Sequence, residues 1–205
     1  RNGIFFNAGQ VCSAMSRPLV HRSLYEEVVV DVVAMAESLA VGLGQDNPDL
    51  TPVISAGQLQ GIEAMCRRAE EEGAVLATGG EALSGMRGHF MAPTVFRDVS
   101  PQMEIAQSEV FGPVLAVIAF DTEEEAVRMA NDTQYGLATS IYTQDISRAS
   151  RLATQIEVGL CWVNSWFLRD LRTPFGGYKQ SGIGREGGLH SLEFYTELRN
   201  VMVKY

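Results

Sequence analysis

Hydrophobic and polar positions along the 205-residue chain follow two rhythms. A spacing of three to four marks helices, and short unbroken or alternating apolar runs mark strands. Residues 17–21 are short and β-prone. Ser23, with Glu26 three places on, predicts a capping box opening a helix whose inner face is Leu24, Val28, Val32, Met35 and Leu39. Ser55 and Gln58 predict a second such start, for a helix through Leu59, Ile62 and Cys66 that stops at Gly73. A strand at 74–77, a turn at Gly79 and Gly80 and extended chain at 91–95 follow. Residues 114–120 are a nearly continuous apolar run, as in a strand covered on both faces. Thr122 and Glu125 predict a third helix with Ala126, Met129 and Ala130 inward, and 137–142 another strand. Asp145 starts a fourth helix carrying Ile146, Ala149, Leu152 and Ile156 to a stop at Gly159, and 160–164 is a buried strand. Two strand–helix–strand units between 114 and 164 predict an α/β fold: a mostly parallel open sheet flanked by helices. A glycine-rich loop spans 174–188. The end of the chain, 197–205, places Val201, Val203 and Tyr205 on one side, like an edge strand left without a partner.

Composition narrows the class. Apolar residues at 46% and charged residues at 20% belong to a folded globular chain. Sixteen basic against twenty-five acidic residues give a net charge of −9, which argues against a nucleic-acid partner. The most apolar stretch, 28–43, is broken by Asp31 and Glu37 and reads as an amphipathic helix, so no membrane span is expected. Cys12, Cys66 and Cys161 are scattered and form no C-x-x-C pair. Neither a disulfide framework nor a metal site is expected, and a reducing, cytoplasmic setting is the simplest. The chain opens on Arg1-Asn2-Gly3-Ile4 without an initiator methionine or leader pattern, as a piece of a longer polypeptide would.

Several residues could carry chemistry. Cys12 follows Gly9, whose flexibility lets the chain turn tightly, so its sulfur could face a cleft beside backbone N–H groups that hold an oxyanion. It could equally be a small buried hydrophobe. Glu109-Val110-Phe111-Gly112-Pro113 leads into the 114–120 run; its carboxylate could accept from ribose hydroxyls and its ring support a flat cofactor, or both could be parts of an ordinary turn. Pro174-Phe175-Gly176-Gly177-Tyr178-Lys179 allows close backbone approach to a ligand or simply a loop between domains. Gly182-Ile183-Gly184-Arg185-Glu186-Gly187 spells G-x-G-x-x-G, but the residues before it are only Tyr178 to Ser181 and only a short helix can follow, so it is rejected as a dinucleotide site. Arg169 and Arg172 stand just beyond the 160–164 strand, where ligands of open α/β sheets gather, and a guanidinium matches a carboxylate; pairing with Asp170 is the alternative.

Taken together, Phe6-Asn7-Ala8-Gly9-Gln10-Val11-Cys12, Glu109-Val110-Phe111-Gly112-Pro113 and Pro174-Phe175-Gly176-Gly177-Tyr178-Lys179-Gln180-Ser181-Gly182 resemble the aldehyde dehydrogenase superfamily in order and spacing. The resemblance implies NAD(P)-dependent oxidation of an aldehyde to an acid, with NAD the expected cofactor and NADP left open. Cys12 would attack the aldehyde, its backbone N–H would help hold the hemithioacetal oxyanion, and a thioester would follow. Glu109 would bind the nicotinamide ribose, Phe111 and Leu137 would line the nicotinamide side, and Gln58 would lie near the adenosine ribose. Phe175 would stand near the substrate. The implied organisation is a catalytic domain at 1–188 and an oligomerisation tail at 189–205 that pairs across a homo-oligomer interface. The nicotinamide-binding domain, the general-base glutamate and the oxyanion-hole asparagine would lie outside this chain, so these 205 residues alone are expected to be inactive.

The segment Trp162-Val163-Asn164-Ser165-Trp166-Phe167-Leu168-Arg169-Asp170-Leu171-Arg172 resembles the 2-hydroxymuconic and 2-aminomuconic semialdehyde dehydrogenase branch. That implies a substrate with a carboxylate far from its aldehyde, which Arg169 or Arg172 would anchor, Arg169 being preferred. The alternatives are a general or betaine-type aldehyde dehydrogenase, a non-catalytic fragment acting as a binding module, and a cysteine hydrolase. The last needs a histidine beside Cys12, and His21, His89 and His190 lie in dissimilar contexts.

Overall fold

The computed structural model describes residues 2–205, which form two compact units, 2–133 and 134–205. The first contains helix α1 (Asn2–Phe5), strand β1 (Leu19–His21), α2 (Tyr25–Glu37), α3 (Ala56–Glu71), β2 (Val75–Thr78), β3 (Thr94–Arg97), α4 (Glu104–Gln107), β4 (Val114–Ala116), β5 (Ile118–Phe120) and α5 (Glu123–Asn131). The second contains β6 (Tyr135–Gly136), β7 (Ala138–Ile141), α6 (Ile146–Ala153), β8 (Leu160–Val163), β9 (Tyr178–Lys179) and α7 (Gly188–Tyr195).

The apolar run at 114–120 is the spine of the first unit. It divides at Val117 into β4, parallel to β3, and β5, parallel to β1. The division is one of partners. Val117 N–H donates to Phe96 O on one side, while Ala116 and Ile118 donate to Ser16 O and Pro18 O on the other. β2 adds to β3 antiparallel. Residues 114–118 are all buried, because helices cover both faces. On one face α3 packs Ile62, Cys66 and Ala69 against Phe96, Val114 and Ala116. On the other, α2 packs Tyr25, Val29 and Ala36 against Val95, Leu115 and Val117. In the second unit β7 and β8 run parallel around α6, and β6 pairs antiparallel with β9. Parallel pairing dominates, but of the two expected strand–helix–strand units only β7–α6–β8 closes as a parallel pair; the parallel partners of the 114–120 run are β3 and β1.

Four local expectations are corrected. Ser23 is not a helix cap: His21 Nδ1 accepts from Ser23 N–H, a 3-10 turn at Arg22–Leu24 follows, and Glu26 binds Arg97 instead. The inner face of α2 is therefore only partly as expected: Val32, Met35 and Leu39 do pack inward, joined by Tyr25, Val29 and Ala36, while Leu24 is exposed. α6 stops at Ala153, six residues before Gly159. Residues 197–205 carry no strand, since no neighbour in the described residues exchanges ladder hydrogen bonds with them. Among the described residues no helix is long and apolar enough to cross a membrane.

Candidate active site

Cys12 is presented by a compact, strained lead-in. α1 is pinned by buried Ile4 and Phe5, and a 3-10 turn Phe6–Gly9 follows. Asn7, Ala8 and Gly9 are left-handed in succession, at φ 51°, 52° and 73°. Asparagine tolerates this conformation by bonding locally, and here Asn7 Nδ2 donates to Gln10 O at 3.0 Å. Alanine has no such compensation and pays about 1–2 kcal/mol; Ala8 is held there by complete burial in the core. Ala14 N–H then donates to Val11 O at 2.9 Å, closing a turn with Cys12 at its second position. Its neighbour Ser13 is buried while Cys12 is exposed. Left-handed non-glycine residues concentrated before a solvent-facing thiol are strain of the kind found at functional sites.

A second strained turn carries Glu109 and Phe111. Phe111 has φ 52°, and the residue is 37% exposed although it directly precedes a buried strand. Glu109 is exposed as a residue, yet partial loss of hydration holds its carboxyl above the usual carboxylate range. Among the described residues no cation or N–H group engages that carboxylate.

α3 joins the two turns. Ser55 caps it by accepting from Gln58 N–H at 3.1 Å. The Gln58 side chain does not return to the cap; its Nε2 donates to Val110 O at 3.1 Å and Phe111 O at 2.9 Å. Only its Oε1 is left to face a ligand. One turn earlier, Ile54 N–H donates to Gln10 Oε1 at 2.8 Å. One turn later, a Cβ on Gly112 would lie 2.5 Å from Ile62 Cδ1. A Cβ on Gly9 would land on the Gly112 carbonyl oxygen, so the cysteine turn and the Glu109 turn touch backbone to backbone. Arg17, half-buried, ties the segment after Cys12 to the carbonyls of Ala106 and Ala130; burial lowers its pKa, partly offset by Asp132. Sequence reasoning missed Gln10 and Arg17 as parts of this framework. Gly9 and Gly112 were its visible trace.

The second unit holds the remaining candidates. Leu137, between β6 and β7, is half-buried, with its carbonyl accepting from Leu160 N–H. Arg172 is exposed and bound to Asp170 through Nε and Nη2, at 2.9 and 2.5 Å. Asp170 raises its pKa, and the aspartate is lowered in return. Arg169 differs: among the described residues no carboxylate pairs with it, and its guanidinium lies 4.5 Å from the centroid of the Phe175 ring. Phe175 exchanges both backbone hydrogen bonds with Glu186. The Gly182–Gly187 stretch is loop, stitched by Arg185 Nη1 to Gly177 O and Gly184 O, and the helix that follows has eight residues. Among the described residues no three potential metal ligands gather.

The aldehyde dehydrogenase family model matches residues 1–201. The chain belongs to that family. The aldehyde dehydrogenase fold is equally plain in comparison with solved structures. An NAD+ complex of an aldehyde dehydrogenase from Bacillus cereus is 43% identical with a TM-score of 0.93, the match covering 96% of this chain and 40% of that one. Among curated relatives, a 2-hydroxymuconic semialdehyde dehydrogenase of a Pseudomonas strain is 47% identical over 98% of this chain and 42% of its own length. A betaine aldehyde dehydrogenase of Brucella anthropi is 40% identical over the same shares. The chain thus spans about two fifths of the aldehyde dehydrogenases it matches.

Proposed function

We propose that the whole protein oxidises an aldehyde to the carboxylic acid with NAD, and that the aldehyde carries a carboxylate at its far end. Cys12 is the proposed nucleophile. Its sulfur adds to the aldehyde carbon to give a hemithioacetal, and its backbone N–H offers one hydrogen bond to the oxyanion. Loss of hydride from that carbon leaves a thioester, which water hydrolyses to the acid and the free thiol. A bound NAD supplies the hydride acceptor.

The residues present fit a nicotinamide nucleotide. Glu109 is a partly dehydrated carboxylate with no cation or N–H partner among the described residues, the acceptor that a ribose diol requires. Phe111, on the same turn, is exposed and offers an aromatic side chain. Gln58 could approach a ribose hydroxyl only through Oε1.

Arg169 carries the choice of substrate. Its charge is not spent on a carboxylate among the described residues, whereas that of Arg172 is. Phe167, Trp166 and Phe175 could by themselves attract the quaternary ammonium of a betaine-type aldehyde. The guanidinium of Arg169 already lies over Phe175, however, so a second cation there meets like charge. A carboxylated semialdehyde meets the opposite charge, with Phe175 holding the guanidinium plane. This favours the semialdehyde reading over the betaine one. A cytoplasmic location is consistent with three free cysteines. Domain limits of 1–188 and 189–205, with the tail pairing in a homo-oligomer, complete the proposal.

Steady-state kinetics of the full-length protein test it. Arg169→Ala should raise KM for a carboxylated semialdehyde on the order of 10-fold to 100-fold, the worth of a charged hydrogen bond, and leave a neutral aldehyde nearly unchanged. Arg172→Ala should affect both little. Equal losses on both aldehydes in Arg169→Ala would contradict the assignment. The purified 205-residue chain should reduce no NAD at an enzymatic rate.

A further inference from the structure

Phe111 occupies a conformation it does not favour. A left-handed L-residue costs roughly 1–2 kcal/mol and persists only where its surroundings over-determine it. The constraints are visible. Gly112, next in line, is closed in by Ile62 of α3 on one side and by Gly9 on the other. The peptide oxygens on either side of Phe111, those of Val110 and Phe111 itself, both accept from one donor, Gln58 Nε2, at 3.1 and 2.9 Å. Gln58 is itself fixed at the first turn of α3 by the Ser55 cap. The same short segment receives Gln10, two residues before Cys12, through Ile54 N–H.

We propose that Gln58 is a positioning residue. Its side-chain amide bridges two successive carbonyls, keeps Phe111 left-handed, and thereby sets the directions in which the Glu109 carboxylate and the Phe111 ring leave the turn. The functional half of this statement rests on the reading that these two groups meet the nicotinamide half of NAD. The chemistry required at position 58 is then donation, not shape. Glutamate reproduces the size and branching of glutamine but brings only acceptors toward two carbonyls at neutral pH. Lysine brings donors on a flexible stem.

The test uses Gln58→Glu, Gln58→Leu, Gln58→Lys and Glu109→Gln in the full-length protein, with NAD affinity measured by calorimetry and amide hydrogen exchange followed over 108–114. Gln58→Glu and Gln58→Leu should weaken NAD binding on the order of tenfold, the worth of one or two net hydrogen bonds, and accelerate exchange across 108–114. Gln58→Lys should restore both. A packing role would instead rank glutamate with glutamine and lysine with leucine, and that order would overturn the proposal. So would unchanged exchange in all three variants. Should Glu109→Gln bind NAD like the parent, the cofactor reading of the turn fails; the exchange pattern still decides whether Gln58 holds the turn.

Discussion

Cys12, Cys66 and Cys161 carry the same side chain and differ in everything around it. Cys66 is buried on α3, and desolvation, helped by Glu70 and Glu63, pushes its thiol up to about 12. Cys161 is half-buried on β8 and is also raised by desolvation. Cys12 stands exposed on its turn. The thiolate is the reacting form, so iodoacetamide at pH 8 should label Cys12 first, Cys161 more slowly, and Cys66 only after unfolding. Peptide mass spectrometry reads the order directly. Glu109 gives a second prediction. Its pKa is raised in the folded chain, so its ionised form is the disfavoured one. The folded state binds the proton more tightly, and stability falls as pH rises from the unfolded carboxylate value through the folded one. Glu109→Gln removes that loss. Its Tm at pH 7 should equal or exceed the parent's while NAD affinity drops, and the difference in Tm should vanish at acid pH. A lower Tm at pH 7 would mean that the carboxylate serves the fold instead.

At the scale of elements, α3 organises the first unit's site, and its start was legible because Ser55 and Gln58 announce a cap in sequence. Ser55→Ala should cost about 1 kcal/mol in urea unfolding. The start of α2 was not legible in the same way. Ser23 and Glu26 spell the same signal, but His21 takes the Ser23 N–H, and the helix begins two residues later. Local signals compete: His21 holds the Ser23 N–H, and Glu26 pairs with Arg97 instead of returning to Ser23. The lead-in to Cys12 was legible only at Gly9. Nothing about Ala8 advertises a left-handed backbone, because burial, not propensity, holds it there. Gly9 itself does two things, adopting φ 73° and leaving room for the Gly112 carbonyl. Gly9→Ala should therefore destabilise the chain by about 1–3 kcal/mol and displace both strained turns together, seen as faster hydrogen exchange at 7–12 and at 109–113. Exchange altered at only one turn would show that the two are not coupled.

For the whole molecule, the unspent feature is the end of the chain. Leu198, Val201, Met202, Val203 and Tyr205 are all exposed and, among the described residues, pair with no strand. On the proposed homo-oligomer their alternation would suit a strand paired with a second copy, and the Val201→Asp, Val203→Asp double variant should then lower the mass of the full-length protein in light scattering. The proposed chemistry turns on the sulfur at position 12. Full-length protein mixed with NAD and a carboxylated semialdehyde, quenched in acid within the first turnovers and digested, should yield the peptide containing Cys12 with the acyl mass of the substrate attached. Cys12→Ala should lose both that adduct and NADH formation, on the order of 10³-fold or more. An acyl group on any other residue, or NADH formed at the parent rate by Cys12→Ala, would contradict it.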